Sequence, residues 1–485
     1  MIFSTTIFLF VFLPLFLTGY YLLPFRFRSA WIVLGSWVFY GWWRIDFLGL
    51  MVLVTLWTYL IGRWIESMRA NEDPGPRTSA GGEVGRPAKT PVAVGVVLNI
   101  GVLAYFKYFN FGADTVNFFL ESVGAAPFAV WQVILPIGIS FYLFQATSYL
   151  VDVYRGDVPA AKRYVDLAAY ISLFPQLIAG PIIRYKDIGR QIASRDHTWE
   201  KFSKGAFRFM IGFCKKVLVA DTVATLTDAV FALPAPSLAD SWLGALAYTV
   251  QLYYDFSGYS DMAIGLGLMM GFRLMENFNF PYISSSITEF WRRWHISLSS
   301  WLKDYLYIPL GGNRKGVRRT YVNLIIVMML GGLWHGAAWT FVAWGTFHGI
   351  LLAVERARES RKFWDRIPKP LSVARTMFFV VIGWVMFRAG SFTSALDMYA
   401  GMIGLNGTSL SGRVSWRLNG FALSVLAFAL VIVFAMPWLR ARFDRVPEAA
   451  KVRIVRAQYV MIPVFLFSIL KVIADSYSPF LYFQF

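Results

Sequence analysis

The stretch from Tyr321 to Glu355, YVNLIIVMMLGGLWHGAAWTFVAWGTFHGILLAVE, constrains this chain more than any other. It is apolar almost throughout. Arg314, Lys315, Arg318 and Arg319 lie just before it, and Arg356, Arg358, Arg361 and Lys362 just after. A helix that crosses a bilayer needs roughly 20 apolar residues. The run is too long for one upright span and barely long enough for two, so it must tilt, break or fold back. Gly331, Gly332 and Gly336 are the expected break, with His335 among them. An ionisable side chain at membrane depth is costly and marks a functional site by default. The alternative is a neutral histidine hydrogen-bonded inside a helix bundle.

Composition sets the class. Of 485 residues, 57% are hydrophobic, 18% aromatic and only 15% charged, against roughly 25% charged in ordinary soluble domains. This predicts an all-α, polytopic membrane protein in contact with lipid. The formal net charge of +18 suits cytoplasmic loops beside anionic lipid and does not indicate nucleic-acid binding. The single cysteine, Cys214, excludes an intramolecular disulfide and a multi-cysteine metal site. His197, His295, His335 and His348 show no paired ligand spacing, so no metal is expected. The N-terminal apolar run lacks a basic segment and a cleavage pattern, and reads as a first span.

Taken in order, Thr5–Leu23, Trp31–Trp43, Phe47–Ile61, Val92–Tyr108 and Val133–Leu150 read as spans. Leu167–Ile183 contains Pro175 and GPI at 180–182 and is expected to bend or re-enter. Lys201–Asp221 interleaves lysines with an apolar face and reads as an interfacial amphipathic helix. Trp242–Phe272 carries Asp255 and Asp261 in YYDFSGYSD, too polar to face lipid. Val373–Phe387, Phe421–Pro437 and Tyr459–Ile473 follow, with a basic loop over Arg440–Arg456 and an aromatic tail, SPFLYFQF. The expectation is ten to twelve spans plus interfacial and re-entrant helices in one membrane-embedded domain over 1–485. A flexible cytoplasmic loop at about 66–91 would interrupt it, and its arginines put the N-terminus outside.

Ser284 to Arg319 reads SSSITEFWRRWHISLSSWLKDYLYIPLGGNRKGVRR. Ser286 and Glu289 fit a capping box. Phe290, Trp291, Trp294, Leu298, Trp301, Leu302 and Tyr305 recur at helical spacing. This predicts a basic amphipathic helix on the cytoplasmic surface. Either it anchors the chain to the membrane, or its cations receive a phosphate-bearing donor. The second reading takes Arg292, Arg293, Lys303, Asn313, Arg314 and Lys315 as donor-binding residues.

The run ENFNFPYISSSITEFWRRWHISLSSWLKDYLYIPLGGNR, followed by NLIIVMMLGGLWHGAAWTFVAWGTFHG, resembles the membrane-bound O-acyltransferase family, and within it the bacterial alginate O-acetyltransferase branch. LPIGISFYLFQATSYLVDVYRG, FPQLIAGPIIRY, GFCKKVLVAD, YDFSGYSDMAIGLG and the terminal YFQF resemble the same branch. The resemblance implies helices around a central funnel in the bacterial inner membrane. It implies an enzyme that takes an acyl group, expected to be acetyl, from acetyl-CoA or an acyl-carrier thioester, with no permanently bound cofactor. The group would pass to an extracytoplasmic partner protein that acetylates a polysaccharide such as alginate. The family's active-site histidine falls on His335, and a second polar position on His295.

Residue chemistry agrees with that implication. A thioester acyl transfer needs a base for the hydroxyl proton, commonly a histidine, and donors for the developing oxyanion. His335 is the expected base in a direct transfer. His295 is expected to stabilise the oxyanion or hold the donor. No Gly-x-Ser-x-Gly elbow supports a serine nucleophile. A funnel above His335 would be lined in part by Gln145, Tyr253, Tyr254 and Asp255. His348 lies about 20 Å further along a continuous helix, so without a fold-back its role is structural. His197, in SRDHTWE, is expected to be solvated. Two other functions fit the broken helices: D-alanyl transfer toward teichoic acid, and transport or flipping of an acylated or lipid-linked sugar.

Overall fold

In the computed structural model, the long apolar stretch folds back on itself. Val317–His335 is one unbroken helix. The chain leaves it at Gly336, whose φ of −152° is extended, and re-enters a helix over Trp339–Glu359. Gly331 and Gly332 therefore lie inside a helix, and only Gly336 breaks the chain.

Gly332, with Gly345 and Gly349 of the second helix, is used for packing. A side chain on Gly332 would strike the backbone of Phe341 and Gly345, and one on Gly345 the backbone of Met328. A Cβ on Gly349 would stand 2.7 Å from the Ile325 Cα. Small residues one turn apart let two helices approach to backbone contact. Gly345→Leu should therefore split the hairpin, at about 1–3 kcal/mol for overpacking. Purified protein should melt several degrees lower and lose acyl transfer. Wild-type melting and activity would show that the close approach is dispensable.

The structure describes residues 1–70, 88–359, 367–418, 420–446 and 458–475. Most of the expected cytoplasmic loop, Arg361 and Lys362, much of the basic loop and the aromatic tail lie outside these residues. Among the described residues every regular element is a helix, and the chain falls into two compact units.

Unit one comprises Met1–Gly205 with Leu266–Met275. Its interior includes an aromatic stack in which Phe174 meets Phe3, Phe8, Phe12, Phe16 and Phe39. His197 is not simply solvated. Its Nε2 accepts from Arg28 at 3.1 Å and lies 2.8 Å from the Tyr20 hydroxyl. Burial, and then the guanidinium groups of Arg28 and Arg195, push its pKa down to about 4. It is a neutral acceptor at physiological pH because the chain buries it beside Arg28 and Arg195, which the local sequence does not announce.

Unit two comprises Ala206–Gly265 with Glu276–Phe485. The expected interfacial helix instead runs on into the interior of this unit. Trp199–Cys214 continues through a wide π-helical turn, Lys215–Ala220, into Asp221–Phe231. Lys216 is inside the unit, ion-paired with Asp221 and, at 3.1 Å, with Asp255. Four described helices are long and apolar enough to cross a membrane: Ile45–Ala70, Lys89–Ser122, Lys369–Arg388 and Gly420–Asp444. Only the last two lie wholly in unit two, whose core includes Tyr282, Phe290, Trp294, Trp344, Trp384 and Phe387.

Candidate active site

The amphipathic stretch before the hairpin is two short helices. Ser286 caps the first, Ile287–Arg293, by accepting from the Glu289 N–H. Glu289 reaches back to the Ser285 N–H at 2.8 Å, so the capping box is displaced by one residue. Glu355, from the far end of the hairpin, also accepts the N–H groups of Ile287 and Thr288, at 2.7 and 2.9 Å. The second helix, Ile296–Leu302, runs into a π turn over Lys303–Tyr307.

His295 is the break between them. Its φ is +46°, a conformation non-glycine residues adopt only when their surroundings impose it. Asn277 imposes it here. The Asn277 carbonyl accepts from Ile296 N–H at 3.0 Å. Its side-chain Oδ1 accepts from Ser297 N–H at 3.2 Å and from the Ser297 hydroxyl at 2.9 Å. These contacts replace the helical bonds the break gives up.

They also fix the tautomer of His295. Oδ1 is held as an acceptor by a backbone N–H, so Nδ1 of His295, 3.2 Å away, must be the donor. A neutral imidazole has one N–H, which leaves Nε2 with its lone pair. His295 is fully buried, and this Nε2 has no hydrogen-bond partner among the described residues. It can accept a proton or a hydrogen bond. It can donate to an oxyanion only as imidazolium, which weakens the expected oxyanion role.

His335 closes the constellation from the end of its helix. Its ring centroid lies 6.2 Å from that of His295. The ring is walled by Trp334, Trp344 and Phe387 at 4.9, 5.5 and 5.3 Å. It is partly exposed, and what it faces is a cavity of about 450 Å³ lined by apolar side chains together with Arg292 and Lys303. A second, more polar cavity of about 630 Å³ holds Asn313, Glu355, Arg356, Arg358 and Arg375. The two share Thr288, Arg292, Tyr307, Leu324 and Leu352 as walls. A cation-lined chamber thus adjoins an apolar one that ends on His335.

The other candidates are distributed unevenly. Arg293 pairs with Glu289 at 2.8 Å and donates to the Asn279 carbonyl. Arg314 and Lys315 are exposed and line neither cavity. Tyr253 packs on Phe278 and Tyr282, the Tyr254 hydroxyl donates to the Ala429 carbonyl, and Asp255 pairs with Lys216. Gln145 is buried and belongs to unit one. None of these four lines either cavity. Asn277, Glu355, Arg375 and Trp384 had not been singled out. Their roles depend on contacts between segments 18 to 90 residues apart, which local spacing does not carry.

The fold-back also moves His348. Trp344 meets both histidines, 5.5 Å from the His335 ring and 5.2 Å from that of His348.

Residues 159–395, which include both histidines and the walls of both cavities, match the model of the membrane-bound O-acyltransferase family. The chain is 49% identical to a probable alginate O-acetylase of Pseudomonas putida and 48% identical to one of Azotobacter vinelandii, in each case over all of both chains. A peptidoglycan O-acetyltransferase of Helicobacter pylori is 37% identical over 84% of this chain and 81% of its own length. The chain belongs to the membrane-bound O-acyltransferase family.

Proposed function

We propose that this enzyme takes an acetyl group from a thioester on a phosphopantetheine arm, such as acetyl-CoA, and transfers it at His335 toward the hydroxyl of an extracytoplasmic polysaccharide. The observation that carries the reading is the pair of adjoining cavities. The cationic chamber suits phosphates, and the apolar one suits the pantetheine arm and its thioester. Relatives named as acetylases match over the full chain, which favours acetyl over D-alanyl. Alginate is the first acceptor to test, delivered through an extracytoplasmic partner protein. The basic residues around the polar chamber support a cytoplasmic-side location for it, in a bacterial inner membrane.

The chemistry follows from the residues. The acceptor hydroxyl gives its proton to a ring nitrogen of His335 as its oxygen attacks the thioester carbonyl. The tetrahedral oxyanion collapses, the carbon–sulfur bond breaks, and the proton passes from His335 to the departing thiolate. His295 Nε2, held unprotonated by Asn277, accepts a hydrogen bond from a second hydroxyl of the acceptor and so aims the attacking one. The aromatic walls keep bulk water, a competing nucleophile, away from the thioester.

Charge reversal at the polar chamber tests the donor path. Arg356→Glu with Arg358→Glu should raise the KM for acetyl-CoA at least tenfold at low salt and leave kcat within about threefold. The gap should narrow as salt rises, because exposed charges are screened over about 8 to 10 Å at physiological ionic strength. An unchanged KM at low salt would remove the phosphates from this chamber.

A further inference from the structure

In unit one, Arg28 and Arg195 meet at one place. Arg28 donates to Nε2 of His197 at 3.1 Å, and Arg195 donates through Nε to the Tyr20 hydroxyl at 2.9 Å. That hydroxyl lies 2.8 Å from the same Nε2. Both guanidinium groups stand over the Tyr20 ring, at 5.0 and 5.6 Å, and over the Phe25 ring, at 6.0 and 5.2 Å. Their other hydrogen bonds go to backbone carbonyls: Arg28 to Leu23, and Arg195 to Met270, Gln191 and Ile192. Neither arginine pairs with a carboxylate among the described residues. Asp196, between Arg195 and His197 in sequence, turns to Lys201 instead, 3.8 Å away.

Two like charges drawn out of water over the same rings cost free energy unless an anion joins them. The rings offset part of this, but they carry no net charge. The setting indicates which anion. The cluster lies where the apolar helix Phe8–Leu22 ends and Phe25–Gly41 begins. Tyr21, Leu22, Phe25, Phe27 and Trp199 are exposed there. Aromatic side chains and arginine at the end of an apolar helix mark the headgroup level of a bilayer. Arg28 is half-buried and has spent only Nε and one terminal nitrogen. Its other terminal nitrogen is open to a ligand. Nη2 of Arg195 is sealed from solvent, so Arg195 supplies charge from behind.

We propose that Arg28 and Arg195 form a site for a phosphate group, that of an anionic phospholipid headgroup. Arg28 bonds the phosphate through its unspent nitrogen, a charge-assisted contact that suits a guanidinium. Tyr20 and His197 hold the two arginines in place, and the exposed Tyr21, Leu22 and Phe25 lie along the acyl chains. With the N-terminus outside, this end of the first span meets the cytoplasmic leaflet, where anionic lipid attracts basic residues. The inference does not rest on the reading of His335.

The test uses full-length protein purified in dodecyl maltoside. Its melting temperature is followed as dioleoylphosphatidylglycerol, dioleoylphosphatidylcholine or inorganic phosphate is added. At saturation phosphatidylglycerol should raise the wild-type value by about 5 °C, as a ligand held only by the folded state does. Phosphatidylcholine should give less than half of that rise. Arg28→Gln should lose at least half of the difference between the two lipids, and Arg28→Lys should keep most of it. Arg26→Gln removes the same charge from an exposed neighbour that stacks on Phe27, and it should keep the full difference. Equal losses in Arg26→Gln and Arg28→Gln would reduce the effect to diffuse surface charge and overturn the site. So would an equal response of the wild type to both lipids. If Arg28→Gln does not accumulate, Arg26→Gln decides: a lost difference overturns the site and a retained one supports it. Inorganic phosphate distinguishes the source. A rise that matches phosphatidylglycerol and vanishes in Arg28→Gln would keep the phosphate site and make its ligand soluble; no rise assigns it to the lipid.

Discussion

His335→Ala should abolish acyl transfer while the protein reaches the membrane at normal levels. General-base catalysis is worth about 10²–10⁴ in rate, so residual thiol release should be at or below a hundredth of wild type. The side chain is partly exposed to a cavity, so its removal enlarges that cavity and leaves the hairpin contacts at Gly332, Gly345 and Gly349 intact. The melting temperature should fall by no more than a few degrees. Release above a tenth of wild type, measured on purified protein, would show that another group takes the proton. His295 would be the first candidate, since Asn277 holds its Nε2 in the basic form.

The second large effect is on folding. Lys216, Asp221 and Asp255 have side chains no more than 4% exposed, and Lys216 is ion-paired with both carboxylates. Removing one partner of a buried ion pair costs about 3–5 kcal/mol, because it strands the other charge. Lys216→Met strands two carboxylates, and little of the variant should elute as monodisperse protein in detergent. Adding Asp221→Asn and Asp255→Asn should restore much of the loss, since neutral groups need no counter-charge. Lys215 is a sharp control. Its partner Asp261 is also bonded to Arg208, and the Lys215 side chain is 28% exposed. Lys215→Met should cost under about 1 kcal/mol. Equal stability in the two lysine variants would mean that the buried cluster is not what holds these helices.

The same pair of lysines shows where the sequence can be read and where it cannot. KFSKGAFRFMIGFCKKVLVAD has the charge pattern of a surface helix, and nothing local says that Lys216 finds Asp255 thirty-nine residues on. A π turn rotates the face presented over Lys215–Ala220, so a helical period of 3.6 assigns the two lysines wrongly. That His335 sits at a helix end beside a break was legible, because length, glycines and an ionisable side chain in an apolar run all pointed there. The break at His295 was not, because Trp294 and His295 continue a good helical period. The helix stops only because Asn277, eighteen residues earlier, takes the N–H groups of Ile296 and Ser297. His348 was placed too far away by one assumption, that the helix continues past Gly336. Three residues, 336–338, reverse the chain and bring His348 against Trp344, the ring that also meets His335.

Leu324 lines both cavities, and it offers the most direct test of the account: that the thioester reaches His335 through the two chambers. Cys214 is the only cysteine, so Leu324→Cys in a Cys214→Ala background carries one thiol at the shared wall. Acetyl-CoA at saturation should slow its modification by a small maleimide at least tenfold, and the modified protein should no longer release thiol from acetyl-CoA. Modification at an unchanged rate under saturating acetyl-CoA, with transfer continuing on the modified protein, would contradict the account.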